Sequence, residues 1–236
     1  SGNATPLARP GLLRWLRPLH RVLVACMVIV IATCVTDGLG WFLAVEYPLA
    51  ASVRWGATAL LAASALVLLY ASGQNEDIRG AIGNASGVAA LLDLGERLQQ
   101  APLEEVDVWL VATGSHEAWM GGMREFLRMH TFDVGSTFFL NLESVGAGQL
   151  SYATHESLLH DAAAGSALVG AAARVAPAIG ALPTRLQGVP TAAHIPLHRG
   201  MQAMTILGVD KEGLPPHWNQ VSDRLVEVDE PSVMRA

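Results

Sequence analysis

Cysteine and charge are both scarce in this 236-residue chain, which has two Cys and only 15% Asp, Glu, Lys and Arg. Cys26 and Cys34 lie in one apolar run. On a helix, a spacing of eight separates them by about 12 Å along the axis, beyond the reach of a disulfide. A disulfide framework and a CxxC zinc site are therefore excluded. The formal net charge of −6 supplies no basic field, which argues against nucleic acid as a partner. Neither GxGxxG nor GxxxxGK[ST] occurs, so nucleotide binding has no support, and no serine sits in a GxSxG elbow. Internal repeats and low-complexity tracts are also missing. Aromatic residues make up 6% of the chain, yet 51% of it is hydrophobic. That combination points to a membrane-embedded part.

Residues 1–21 form a basic leader, with Arg9, Arg14, Arg17 and Arg21 and no acidic residue. Pro10 and Pro18 interrupt it, and Leu12, Leu13, Trp15 and Leu16 suit a short interfacial helix. Residues 22–72 read as a transmembrane hairpin with spans at about 16–36 and 55–72. Asp37, Gly38 and Gly40 break the apolar pattern after the first span, and Trp41, Phe42 and Tyr47 suit an interface. The second run carries Gly56, Ala57, Ala59, Ala62, Ala63 and Ala65, small residues that allow close helix–helix contact. Four arginines lie before or at the start of the first span and only Arg54 lies between the two. The expected orientation therefore places the N-terminus in the cytoplasm. An even number of spans returns the C-terminal domain to the same side.

Residues 73–236 read as an α/β domain after a polar linker. Ser86 or Asn84 is expected to cap a helix whose apolar face is Val88, Leu91, Leu92, Leu94 and Leu98. Residues 106–112 read as a buried strand, residues 119–130 as a helix, and residues 137–145 as a second strand. A short strand at 149–154, a helix across 157–180, a strand at 203–209 and a last helix from 231 complete the pattern. Pro183, Pro190 and Pro196 mark loops. Alternating strands and helices of this length predict a sheet flanked by helices.

Four segments occur in an order that resembles the M28 family of zinc aminopeptidases. They are GAIGNASG from Gly80, TGSHEAWMGGMREFL from Thr113, FFLNLESVGAG from Phe138, and GLPPHWNQVSDRL from Gly213. AHIPLHRGMQAMTILG from Ala193 is a weaker match between the last two. The resemblance covers about two thirds of the chain and implies a truncated M28-peptidase-like sheet. It also implies a two-zinc site held by two His and three carboxylates, with a Glu outside the metal shell as general base.

Position by position, this chain departs from that site. The family's bridging Asp matches Gly83, its general base matches His116, and its last His ligand matches Asn219, two positions from His217. The upstream H-x-D ligand motif has no counterpart. Glu117 retains one ligand position, and Glu143 retains a carboxylate at another. His155, His160, His194 and His198 are scattered and read as surface or packing residues. The resemblance thus implies a pseudoenzyme without a bound metal, serving as a structural or interaction subunit of a larger membrane complex. Its partners would be the bilayer and other transmembrane subunits. The alternative is an active metallo-aminopeptidase with one zinc at a remodelled site of His116, Glu117, Glu143 and His217.

Overall fold

The computed structural model describes residues 3–4, 19–45, 47–73, 76–157 and 160–236. The basic leader, its interfacial helix and the start of the first expected span lie largely outside these residues. The chain divides into two compact units, Thr5–Asn75 and a second made of Ser1–Ala4 with Glu76–Ala236.

The first unit is a helical hairpin of α1 (Leu19–Leu43) and α2 (Pro48–Gly73). Their 25 and 26 residues, at about 1.5 Å rise each, exceed the roughly 30 Å hydrocarbon thickness of a bilayer. Both helices are long and apolar enough to cross a membrane. Met27, Val28, Ile31, Leu66 and Leu69 are exposed on their surfaces.

The helices extend beyond the expected spans at the hairpin's closed end. Asp37, Gly38 and Gly40 do not end α1, which runs through them to Leu43. Asp37 is tolerated because its carboxylate pairs with the Arg54 guanidinium of α2. Gly40 is required because the chain folds back tightly there. A Cβ at this position would lie 2.4 Å from the Val45 carbonyl oxygen. Helix α2 begins at Pro48 rather than Trp55, since proline suits the first helical position. Arg54 is therefore a helix residue and not part of the connection.

The second unit is a five-stranded mixed sheet with helices on both faces. Its elements are α3 (Ser86–Gln100), α4 (Gly121–Met129), β1 (Phe138–Glu143), β2 (Gln149–Ser157), β3 (Asp161–Ala163), α5 (Ser166–Ile179), β4 (Leu182–Gln187), α6 (His194–His198), β5 (Gln202–Val209) and α7 (Glu230–Arg235). A two-residue bridge, Asn3–Ala4 antiparallel to Glu76–Asp77, precedes them. Strand β5 runs parallel to β1 and antiparallel to β2, and β2 runs parallel to β4 and antiparallel to β3. Ser151 of β2 pairs with both Leu182 and Leu207, so β4 and β5 flank β2 on opposite edges.

Strand alternation divides the core between the two faces. Ile206 packs against two clusters, one built on Tyr152, Ala164, Ala176 and Met204, the other on Ala90, Val145 and Val233. Helices α3, α5 and α7 therefore share one face. Ala153, Leu186, Leu207 and Val209 form a third cluster. Asn141, Glu143 and Thr205 alternate with Leu142 and Ile206 and point to the opposite face. Gly208 holds the strand-end turn close: a Cβ there would lie 1.8 Å from the Ala147 carbonyl oxygen.

Several sequence expectations change in this unit. Residues 106–112 do not form a strand, and Val106, Val108, Trp109 and Leu110 are exposed. Among the described residues, no backbone group of this segment pairs with another backbone group. Side chains alone lodge it: Leu110 fills the space a Cβ at Gly95 of α3 would need, and the Trp109 ring meets Phe126 and Phe132. Strand β2 is longer than expected, and β3 occupies part of the supposed 157–180 helix. Pro183 lies inside β4, which pairs with β2 as an outer strand that tolerates a missing N–H. Pro196 lies in α6. On α3 the buried positions are Ser86, Gly87, Ala90 and Gly95, whereas Val88, Leu92 and Leu94 are exposed.

Candidate functional site

The site region is where the start of α3 meets the end of β1. Gly80 enters with φ 66°, and residues 81–85 make a single π turn before α3. Gly87 brings helix and strand together, because a Cβ there would sit 2.4 Å from the Leu142 carbonyl oxygen. The expected caps are not used: neither Asn84 nor Ser86 accepts the free amides. Ser86 donates instead to the Ile82 carbonyl at 2.5 Å. The amides of Ile82 and Gly83 donate to the Asp223 carboxylate at 2.5 and 3.2 Å. Asp223 is buried, and its Oδ2 lies 3.0 Å from where a Gly83 Cβ would be.

Glu143 ends β1, and the chain turns sharply at buried Ser144, with φ 52°. One Glu143 oxygen accepts from Asn141 Nδ2 at 3.2 Å, and the other lies 3.5 Å from His116 Nε2. Asn141 sits two positions earlier on the same strand and therefore on the same face. Burial pushes the Glu143 carboxyl above its usual range. The His116 charge and the Asn141 hydrogen bond oppose that rise, and the Glu117 charge adds to it.

His116 and Glu117 lie on a loop closed by backbone bonds from Gly121 to Ser115 and from Gly122 to Gly114. Ser115, Trp119 and Met120 all have positive φ, at 55°, 56° and 53°. Such conformations are costly for non-glycine residues and persist where the surroundings fix them. Here Gly122 supplies the close approach, since a Cβ on it would meet the Gly114 carbonyl oxygen at 2.3 Å. Glu117 is exposed at the surface of this loop.

The fourth segment forms a loop of successive turns through residues 215–223. His217 and Asn219 have φ of 58° and 51°. The His217 ring is tied within the loop, with Nδ1 2.8 Å from Ser222 Oγ. The structure thus joins His116 to Glu143, and Asp223 to the Gly83 backbone. Asp223 served in the sequence only as a landmark, so its role in closing the π turn was missed. Its distance of 140 positions from Gly83 left no local signal.

These features place the landmark segments on one sheet-and-helix framework. The sequence model of Peptidase family M28 matches residues 64–236, most of the chain. The chain belongs to Peptidase family M28. Solved structures agree on the fold. BSAP, a zinc aminopeptidase from Bacillus subtilis, superposes with a TM-score of 0.55 at 18% identity, covering 67% of this chain and 40% of that one. The LapA aminopeptidase of Legionella pneumophila gives 0.52 at 9% identity, covering 66% and 44%. This M28 chain thus spans less than half the length of either aminopeptidase. No curated protein sequence matches it.

The residues of this M28 member do not fit a two-zinc centre. Gly83 offers no donor, Asn219 offers an amide, and the space before Gly83 holds the Asp223 carboxylate. Among the described residues, no three His, Cys, Asp or Glu side chains are grouped to hold a metal ion. Zinc aminopeptidase relatives make zinc the group to test for, and the pair of donors brought together is His116 and Glu143, 3.5 Å apart.

Proposed function

We propose that this chain is a membrane-anchored M28 member without peptidase activity, serving as a structural or interaction subunit of a larger membrane complex. The observation that carries the reading is the donor set: Gly83 has no side chain and Asn219 only an amide where the resemblance calls for metal ligands, and among the described residues no three donors are grouped. Fold and activity separate readily, because the sheet packs through Ile206, Leu207 and Val145 and not through the site's polar groups. The hairpin supports the interaction role: its outward surface is apolar, and α2 carries a series of Ala and Gly suited to close packing among other membrane helices. The arginine distribution favours an orientation with the N-terminus and the α/β domain in the cytoplasm.

Metal analysis of the full chain purified in mild detergent tests the inactivity. The expected result is sub-stoichiometric zinc and no aminopeptidase activity. Stoichiometric zinc, lost together with activity in Glu117→Ala, would establish the mononuclear enzyme instead. The complex is tested by the same purification, where a lone monomer without a co-purifying membrane subunit would overturn it. Sidedness follows from Lys211→Cys, on an exposed loop, labelled with an impermeant maleimide. Labelling in sealed right-side-out vesicles, without permeabilisation, would reverse the proposed orientation.

A further inference from the structure

Glu156 on β2 is 1% exposed, although it is an acid in the interior of the sheet. Its partners are two buried threonines, Thr205 of β5 and Thr191 of the crossover between β4 and α6. Thr205 Oγ1 lies 2.6 Å from Glu156 Oε1, and Thr191 Oγ1 lies 2.8 Å from Oε2 and 3.0 Å from Oε1. The two threonine oxygens are themselves 2.7 Å apart. Three oxygen-bearing groups thus form a closed triangle at hydrogen-bond distance.

Each side of the triangle needs one proton. The two hydroxyls bring two protons, and a carboxylate brings none. An ionised Glu156 would leave one side as two lone pairs facing each other in a dry interior, a costly arrangement. A neutral acid closes the ring: the carboxyl O–H donates to Thr191, Thr191 to Thr205, and Thr205 back to Glu156 Oε1. The remaining contacts agree with this direction. Thr191 Oγ1 also accepts the Ala193 N–H at 3.2 Å, within the capacity of a hydroxyl that already accepts once. We infer that Glu156 is held as a carboxylic acid whose own proton completes this ring, and that its ionisation releases the β4–α6 crossover from the sheet.

Thr191 is the link that gives ionisation a structural effect. It stands among Val189, Ala192 and Ala193, all buried, and pins the crossover to β2 and β5. Among the described residues, the surrounding charges do not supply a counter-ion. Glu143 on β1 is the titratable group whose charge reaches Glu156, and it disfavours ionisation. His194 and His198 on α6 meet edge to face, with His194 driven toward its neutral form by desolvation and then by His198. Asp161 of β3 is paired with Arg185 of β4. Burial dominates, raising the Glu156 carboxyl to about 7 against the hydrogen bonds from Thr205 and Thr191. A raised acid favours the folded state below its unfolded value. That contribution fades as pH climbs through about 7.

Hydrogen exchange of the full chain in detergent, corrected for intrinsic rate, tests the clasp at pH 5.5 and 8.5. The peptide covering residues 188–193 is expected to lose about tenfold in protection at the higher pH, while β5 keeps its own. In Glu156→Gln the two pH values should give equal protection. A carboxylic C=O infrared band present at pH 5.5 should be missing from that variant. Should Glu156→Gln fail to fold, Thr191→Val decides, since it opens the ring without removing the acid and should abolish the pH step. Unchanged crossover protection in the wild type, or no Glu156-dependent acid band at pH 5.5, would overturn the inference.

Discussion

The Asp223 carboxylate accepts the backbone N–H groups of both Ile82 and Gly83, at 2.5 and 3.2 Å, and so closes the π turn that leads into α3. The same carboxylate lies where a side chain at position 83 would start. One residue therefore stabilises the scaffold and crowds the point where a side chain at position 83 would begin.

Gly83→Asp is accordingly expected to fail as a restoration. Its Cβ would meet Asp223 Oδ2 at 3.0 Å, and its carboxylate would face a like charge. Stability in detergent should fall by about 1–3 kcal/mol with no gain of zinc. Asp223→Ala should cost about 2–3 kcal/mol by leaving two amides without an acceptor. Denaturant midpoints and metal content on the same samples measure both.

The Asp37–Arg54 pair joins α1 and α2 near the connection of the hairpin. Arg54→Ala should weaken the hairpin because Asp37 is left without its cation in an apolar segment. The exchange Asp37→Arg with Arg54→Asp should recover most of the loss. Thermal aggregation in detergent, compared across the single and exchanged variants, shows whether the pairing or the mere presence of charge matters.

Residues 106–112 and β5 offer a contrast in backbone pairing. Val108→Pro is expected to cost less than about 1 kcal/mol, since no ladder bond is made there. Met204→Pro in β5 removes a paired amide and should cost at least about 2 kcal/mol. Amide exchange should rank the two segments in the same order, fast at 106–112 and slow at 203–209.

Glu143 supplies a second pH signature. Its carboxyl is raised by burial, and the His116 charge partly offsets the rise. His116→Ala should move the Glu143 titration further upward, and Glu117→Gln should move it downward. An acid raised on folding stabilises below its unfolded value and loses that contribution as pH rises. Glu143→Gln should therefore gain relative stability toward alkaline pH. Carbon-detected titration of the Glu143 carboxyl checks the two shifts.

Legibility in the sequence followed the range of the interaction. The elements at 121–129, 138–143 and 202–209 carry their own patterns, and the start of α3 carries Gly80 and Gly87, which answer to a left-handed φ and a close backbone approach. The segment at 106–112 has the same apolar, β-branched pattern as a strand. Strand formation, however, needs a partner at its edge, and a pattern in one segment cannot report whether a neighbour is present. Asp37 misled for a related reason: an acid breaks an apolar run on paper, whereas Arg54 from the next helix neutralises it in space. At the site, the losses at Gly83 and Asn219 were readable as residue types. The contacts of Asp223 and of the Glu156 triad were not, because each joins residues far apart in the chain. Thr205 was the available hint, a polar residue in the middle of the apolar run 203–209.

Gly208 carries a consequence for descent. A side chain at that position would collide with the Ala147 carbonyl oxygen at 1.8 Å, whatever the protein does. Selection on folding alone would hold Gly208, and Gly87 with it, while under the proposed loss of catalysis positions such as His116 and Asn219 would be free to drift. Near kin of this chain should therefore vary freely at the polar positions around Glu143 and hardly at all at these two glycines. The two kinds of position record separate histories, one of shape and one of chemistry.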